Sequence, residues 1–180
     1  TEPGEDSMCY WSENHQILFA SAEYLAGQMW KDEIFTNDNS TGTERMERAK
    51  SRINHWMQLR FTYGFSEINS NNYYDMNFGA AANFIQFASE EDNDMKERMR
   101  MILDLLLYDV ASNLYDYAFL APSGRQVTVN KVGVSGDHMR KFIDYIWGLN
   151  DNHKTSISHM LINFVSMMEA EDSYGNKFYE

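Results

Sequence analysis

Apolar side chains recur at three- and four-residue spacing along nearly the whole chain, and only two prolines interrupt them. A period of this kind puts one greasy stripe on each of a series of helices, where alternation would have signalled strands. Leu18, Ala22, Leu25 and Met29 mark a first helix over about 13–30. Met46, Ala49, Ile53 and Trp56 mark a second over about 43–63, opened by the capping-box pattern TGTE and closed by Gly64. Met76, Ala80, Phe84 and Phe87 predict a third over about 75–89. Met99, Leu103, Leu106 and Val110 predict a fourth over about 92–117, entered through the acidic SEED. A fifth runs near 137–149 with Met139, Phe142 and Ile146, and a sixth near 154–170 with Ile157, Leu161, Phe164 and Met168.

The segment FLAPSGRQVTVNKVGVSG breaks the period with Pro122, three of the ten glycines and the alternation Val127 to Val129, so it reads as a loop or a short hairpin near 125–133. No linker composition divides the chain. About six helices in successive pairs make an all-α domain of antiparallel hairpins over residues 1–180.

Charge narrows the partners. With 27 acidic and 15 basic side chains the formal charge is −12, which repels phosphate backbones and anionic lipid, so nucleic acid is excluded as a partner class. The greasiest run, MILDLLLYDVA, is too short and too acidic to insert in a membrane. Cys9 is the only cysteine, leaving no internal disulfide and no cysteine zinc cluster. There is no HExxH, and His153 and His159 do not share a helix face, so neither a metal nor another cofactor is expected. Asn39 begins the glycosylation sequon NST. The opening TEPGEDS, without an initiator Met, predicts a processed product or an excerpt.

Antiparallel pairing carries the strongest functional signal. It puts the start of each odd helix at the same pole as the end of each even one. Glu13, Asn14 and His15 begin the first helix, Arg60 and YGFSEINSNNYYD end the second, and Tyr115, Tyr117 and SGR follow the fourth. Three polar and aromatic clusters therefore meet at one pole, while KDEIFTNDNS and SEEDND make plain acidic loops at the other. The first helix also aims free N–H groups and a positive dipole end at the shared pole.

The combination WSENHQILF…EYLAGQ, then RINHWMQLRFTYGFSEINSNNYY, then SGRQ resembles an uncharacterised family of α/α-toroid proteins, itself similar to polysaccharide lyases and related carbohydrate-active enzymes. The resemblance spans about residues 10–130 and departs from the family pattern at Ile68 and Val127. It implies part of a toroid, a polysaccharide or glycan as partner, an extracellular location with a cytoplasmic one as alternative, and self-association or contact with the rest of a larger chain.

On that resemblance the catalytic candidates are Glu13, Asn14, His15, Glu67, Tyr73 and Tyr74, and the substrate-binding candidates Trp11, Arg60, Asn69, Asn71 and Arg125. A lyase acting on a uronic acid needs its carboxylate neutralised, a base for the C5 proton and an acid for the leaving oxygen. Asn14 with Arg60, then His15, then Tyr73 or Tyr74 would fill those roles. A hydrolase would use Glu13 and Glu67 as its carboxylate pair. Each residue also has a plainer reading. His15 is equally a core histidine bonded to a carbonyl, Arg60 a structural partner of Glu67 or Glu13, and NSNNYYD an ordinary turn. The rival to a carbohydrate-active protein is a non-catalytic subunit of an extracellular assembly. Open space among Asn14, His15, Arg60 and Tyr74 favours chemistry, and mutual burial favours scaffolding.

Overall fold

The computed structural model describes residues 10–115, 118, 119, 122, 124 and 138–147. Within them the chain is mainly helical: α1 Glu13–Met29, α2 Gly42–Tyr63, α3 Tyr74–Phe87, α4 Asn93–Ser112 and α5 His138–Trp147, with a 3-10 turn at Glu90–Asp92. Two minimal hairpins complete it, β1 Ile34–Phe35 with β2 Ser40–Thr41, and β3 Leu114–Tyr115 with β4 Ala118–Phe119. The expected sixth helix over 154–170 and the hairpin near 125–133 lie outside the described residues, as do Cys9, Tyr117, Arg125, His153 and His159.

α1 and α2 form an antiparallel pair held at both ends. At one end the first residue of α1 meets the last turn of α2. At the other, two glycines let the backbones almost touch: a Cβ on Gly27 would fall 2.5 Å from the Gly42 carbonyl oxygen. The capping box at the head of α2 is formed, with Thr41 Oγ1 accepting from the Glu44 N–H and the Glu44 carboxylate accepting from the Thr41 N–H. Gly64 ends α2 at φ +73, a conformation that favours glycine.

α1 packs on α2 and α3, α3 on α4 and α5, and α2 on α4. α3 sits at the centre and is buried almost all round; Ala80, Ala81 and Ala82 keep it slim enough for neighbours on several sides. Trp56, Tyr24, Tyr74, Phe78, Phe84 and Phe142 fill the core, each such side chain contributing about 1.5–3 kcal/mol by leaving water.

The expected stripes of α2 and α4 are the buried ones, and Met139 and Phe142 of α5 are fully enclosed. α1 differs. Its packed face is Ile17, Ala20, Tyr24 and Gly27, whereas Ala22 and Met29 are exposed and Leu18 and Leu25 only half-buried. Gly27 must face Gly42, and Tyr24 packs edge-to-face with Phe84 while its hydroxyl donates to Asp92, so these contacts turn the helix by about one residue from the purely apolar stripe. Phe87, in the last turn of α3, is also half-exposed. α4 stops at Ser112 rather than near 117: the Asn113 side chain donates to the Asp109 carbonyl and the chain turns into the second hairpin. The first acidic loop is more than a plain loop. Arg45 lies 4.2 Å above the Phe35 ring and bonds Asp38, clasping its hairpin to α2.

Candidate functional site

Four segments meet at the pole where α1 begins. Glu13, 4% exposed, places Oε2 2.6 Å from Arg60 Nη1. The same oxygen accepts from the Ser66 N–H at 2.6 Å and the Ser66 hydroxyl at 2.7 Å, while Oε1 takes the Asn77 amide at 3.4 Å. The Glu13 carbonyl accepts from Trp56 Nε1 at 3.0 Å. Arg60 is 7% exposed and continues the α2 stripe, with its guanidinium 5.2 Å from the Trp56 ring centre and 5.8 Å from that of Phe65. Burial pushes Arg60 below its ordinary value, and the negative charges of Glu13 and then Glu67 oppose that push.

The helix start is also satisfied from within. The Asn14 N–H donates to Glu67 Oε2 at 3.3 Å, so a donor expected to meet an anionic sugar meets a carboxylate of the same chain. Asn14 is fully enclosed, its side chain between the Ser12 hydroxyl and the Met76 sulfur. His15 turns to the outer side. It is half-buried, bonds Ser12 through Nδ1, and stacks 5.9 Å from Phe19.

Tyr74 and Tyr73 separate by environment. Tyr74 is enclosed between Phe65 and Phe119 and accepts the Asn69 N–H at 2.9 Å. Burial pushes its hydroxyl far above the ordinary tyrosine range, so it stays protonated. Tyr73 is half-buried at the head of α3. Asn69 adopts φ +51 in the preceding turn and Asn71 is buried. The turn around Gly124 joins this pole through its N–H, which donates to the Ile68 carbonyl at 2.9 Å. The described members of the three clusters thus converge, with Tyr117, Ser123 and Arg125 lying outside the described residues.

What converges is a closed polar node. Glu13, Asn14, Arg60, Glu67, Asn71 and Tyr74 are buried, while Trp11, His15, Asn69 and Tyr73 retain exposure at its margin. Sequence reasoning missed Ser66 and Asn77, which supply half of the Glu13 partners. Asn77 had a signal: with Asn83 it is one of two polar residues in the mainly apolar run MNFGAAANF.

Asn39 is exposed at φ +56 in the first hairpin, at the far pole, and Thr41, third residue of its sequon, supplies the capping-box hydroxyl. Among the described residues no group of three His, Cys, Asp or Glu side chains is placed to hold a metal ion, and no helix is long and apolar enough to cross a membrane. Comparison of the chain with protein-family models, curated proteins and solved structures finds no match.

Proposed function

We propose that the chain is the helical scaffold of a glycan-binding protein of the α/α-toroid kind, acting outside the cell, with its binding surface at the pole built around Glu13. One observation carries the reading. Trp11, Tyr63 and Tyr115, from three separate segments that end at this pole, are 75%, 79% and 74% exposed. Large rings left in water at the ends of three packed elements are poor for solubility and good for stacking on the apolar face of a sugar. Half-buried Asn69, Asn72 and Tyr73 add amide and hydroxyl groups beside them.

The node favours binding over turnover. A general acid or base must reach the substrate, and Glu13, Glu67 and Tyr74 are enclosed by their own chain. The lyase roles of Asn14 and Arg60 need a free cation and amide for a sugar carboxylate, but Arg60 is held by Glu13 and Asn14 by Ser12 and Met76. The test is a panel of neutral and uronate polysaccharides assayed for retention of the protein and for new reducing or unsaturated ends. Retention without product supports the reading; product formation lost in Glu13→Gln would replace it with an enzyme.

A second reading, a structural subunit, is favoured by a different observation. Phe61, Met101, Leu105 and Tyr108 form an apolar depression of about 530 Å³ on the outer faces of α2 and α4, all four exposed. Such a strip suits contact with another helical segment, from a second copy or the rest of a larger chain. Sedimentation velocity over a concentration series tests it: association abolished by Leu105→Glu supports an assembly role, and a monomer at every concentration opposes self-association.

A further inference from the structure

The outer side of the α1–α2 pair carries a second concavity, of about 530 Å³, inside the range of about 300–1,000 Å³ usual for small-ligand sites. Its walls differ in chemistry. Tyr10 and Phe19, from α1 and the turn before it, stand 5.4 Å apart at 40° and form one continuous aromatic wall. His15 stacks behind Phe19 at 23° and holds that ring in place. Arg52, His55 and Leu59 of α2 line the facing wall, and Gln16 also borders the space. The groove is joined to the exposed rim, because Gln16 Nε2 donates to the Trp11 carbonyl at 2.9 Å and ties the rim segment to α1.

The charge of the groove is decided by pairing. Arg52 Nη1 lies 2.7 Å from Glu23 Oε2, so its positive charge is already met by an acidic neighbour, and the whole chain carries −12. An anionic polymer therefore finds little to attract it. Uncharged hydroxyls suit the site better: aromatic faces on one wall take a ring's C–H face, and the imidazole and guanidinium groups of the α2 wall take its oxygens.

We propose that this groove is an outer subsite that seats one ring of an extended, uncharged glycan whose neighbouring residues lie on the Trp11 rim. The inference rests on the glycan-binding reading above and adds to it a direction for the chain and a preference for neutral sugars. The surface then recognises length, because a short oligomer reaches the rim or the groove and a longer one reaches both.

The probe is a size-graded array of neutral gluco-, manno-, xylo- and galacto-oligosaccharides, from disaccharide to octasaccharide, with uronate-bearing oligomers of matched length. Wild-type protein is expected to bind a neutral series with affinity that climbs with length. Phe19→Ala and His55→Ala, both at exposed positions, should each weaken the longest bound oligomer about tenfold, the scale of a lost stacking or polar anchor, and flatten the dependence on length. Circular dichroism of each variant confirms that the helices persist. Unchanged length dependence in both variants, or preference for the uronate series, overturns this inference while leaving the glycan-binding reading in place. Absence of binding to every oligomer and to the parent polysaccharides overturns both.

Discussion

Glu13 Oε2 stands 2.6 Å from Arg60 Nη1, so a buried ion pair joins the first residue of α1 to the last turn of α2. Removing Glu13 leaves the Arg60 charge enclosed with only the weaker influence of Glu67 against it, which costs far more than the pair itself contributes. Glu13→Ala is expected to destabilise the protein by about 3–5 kcal/mol, read from urea denaturation at neutral pH. The double variant Glu13→Leu/Arg60→Met should recover part of that loss, since neither charge then remains buried.

The far end of the same helix pair depends on close approach. A Cβ on Gly42 would sit 2.0 Å from the Trp30 carbonyl oxygen, and backbone cannot step aside as a flexible side chain can. Gly42→Ala should lower stability by at least about 1–3 kcal/mol, seen as a drop in melting temperature. Gly64→Ala makes a useful contrast. Its Cβ meets open space, and the expected cost of about 1–3 kcal/mol comes only from holding alanine at φ +73, ψ −157, a region essentially confined to glycine.

Tyr74→Phe keeps the ring packing with Phe65 and Phe119 but deprives the Asn69 N–H of its acceptor. A loss of about 1–3 kcal/mol is expected, measured by denaturation, with Asn69 and its turn becoming faster to exchange amide hydrogen.

Asp109 gives a pH signature. Burial raises its carboxyl above the ordinary aspartate value, so the folded state holds its proton more tightly than the unfolded chain does. Below the unfolded-state value both states are protonated and nothing is lost. As pH rises through the ordinary value and then the raised one, ionisation disfavours the fold. Asp109→Asn should therefore melt higher than wild type at neutral pH, with the gain shrinking as the solution is acidified through the carboxylate range. A gain that grows on acidification would contradict the assignment.

Most of the helical framework was legible because α2 and α4 repeat apolar residues with one clear face, and because TGTE and Gly64 mark the ends of α2 in local chemistry. The convergence at one pole was legible too, since it follows from antiparallel pairing alone. The direction of each side chain at the pole was not. A shift of about one residue in the packed face of α1 turns Glu13 and Asn14 inward and His15 outward, and that shift is set by Gly27 against Gly42 and Tyr24 against Asp92, which are distant in sequence. The two hairpins escaped for a different reason. Two-residue strands carry too little alternation to show a period, and the first is held by Arg45 and Asp38 rather than by an apolar face.

The central claim is that exposed rings at the Glu13 pole hold a glycan. Affinity electrophoresis through gels containing individual polysaccharides compares wild type with the Trp11→Ala/Tyr63→Ala/Tyr115→Ala variant, whose substitutions lie on the surface and leave the node intact. The account predicts that at least one neutral polysaccharide retards the wild type and that the triple variant migrates as in an empty gel. Equal retardation of the two proteins, or none of the wild type by any polysaccharide, would contradict it.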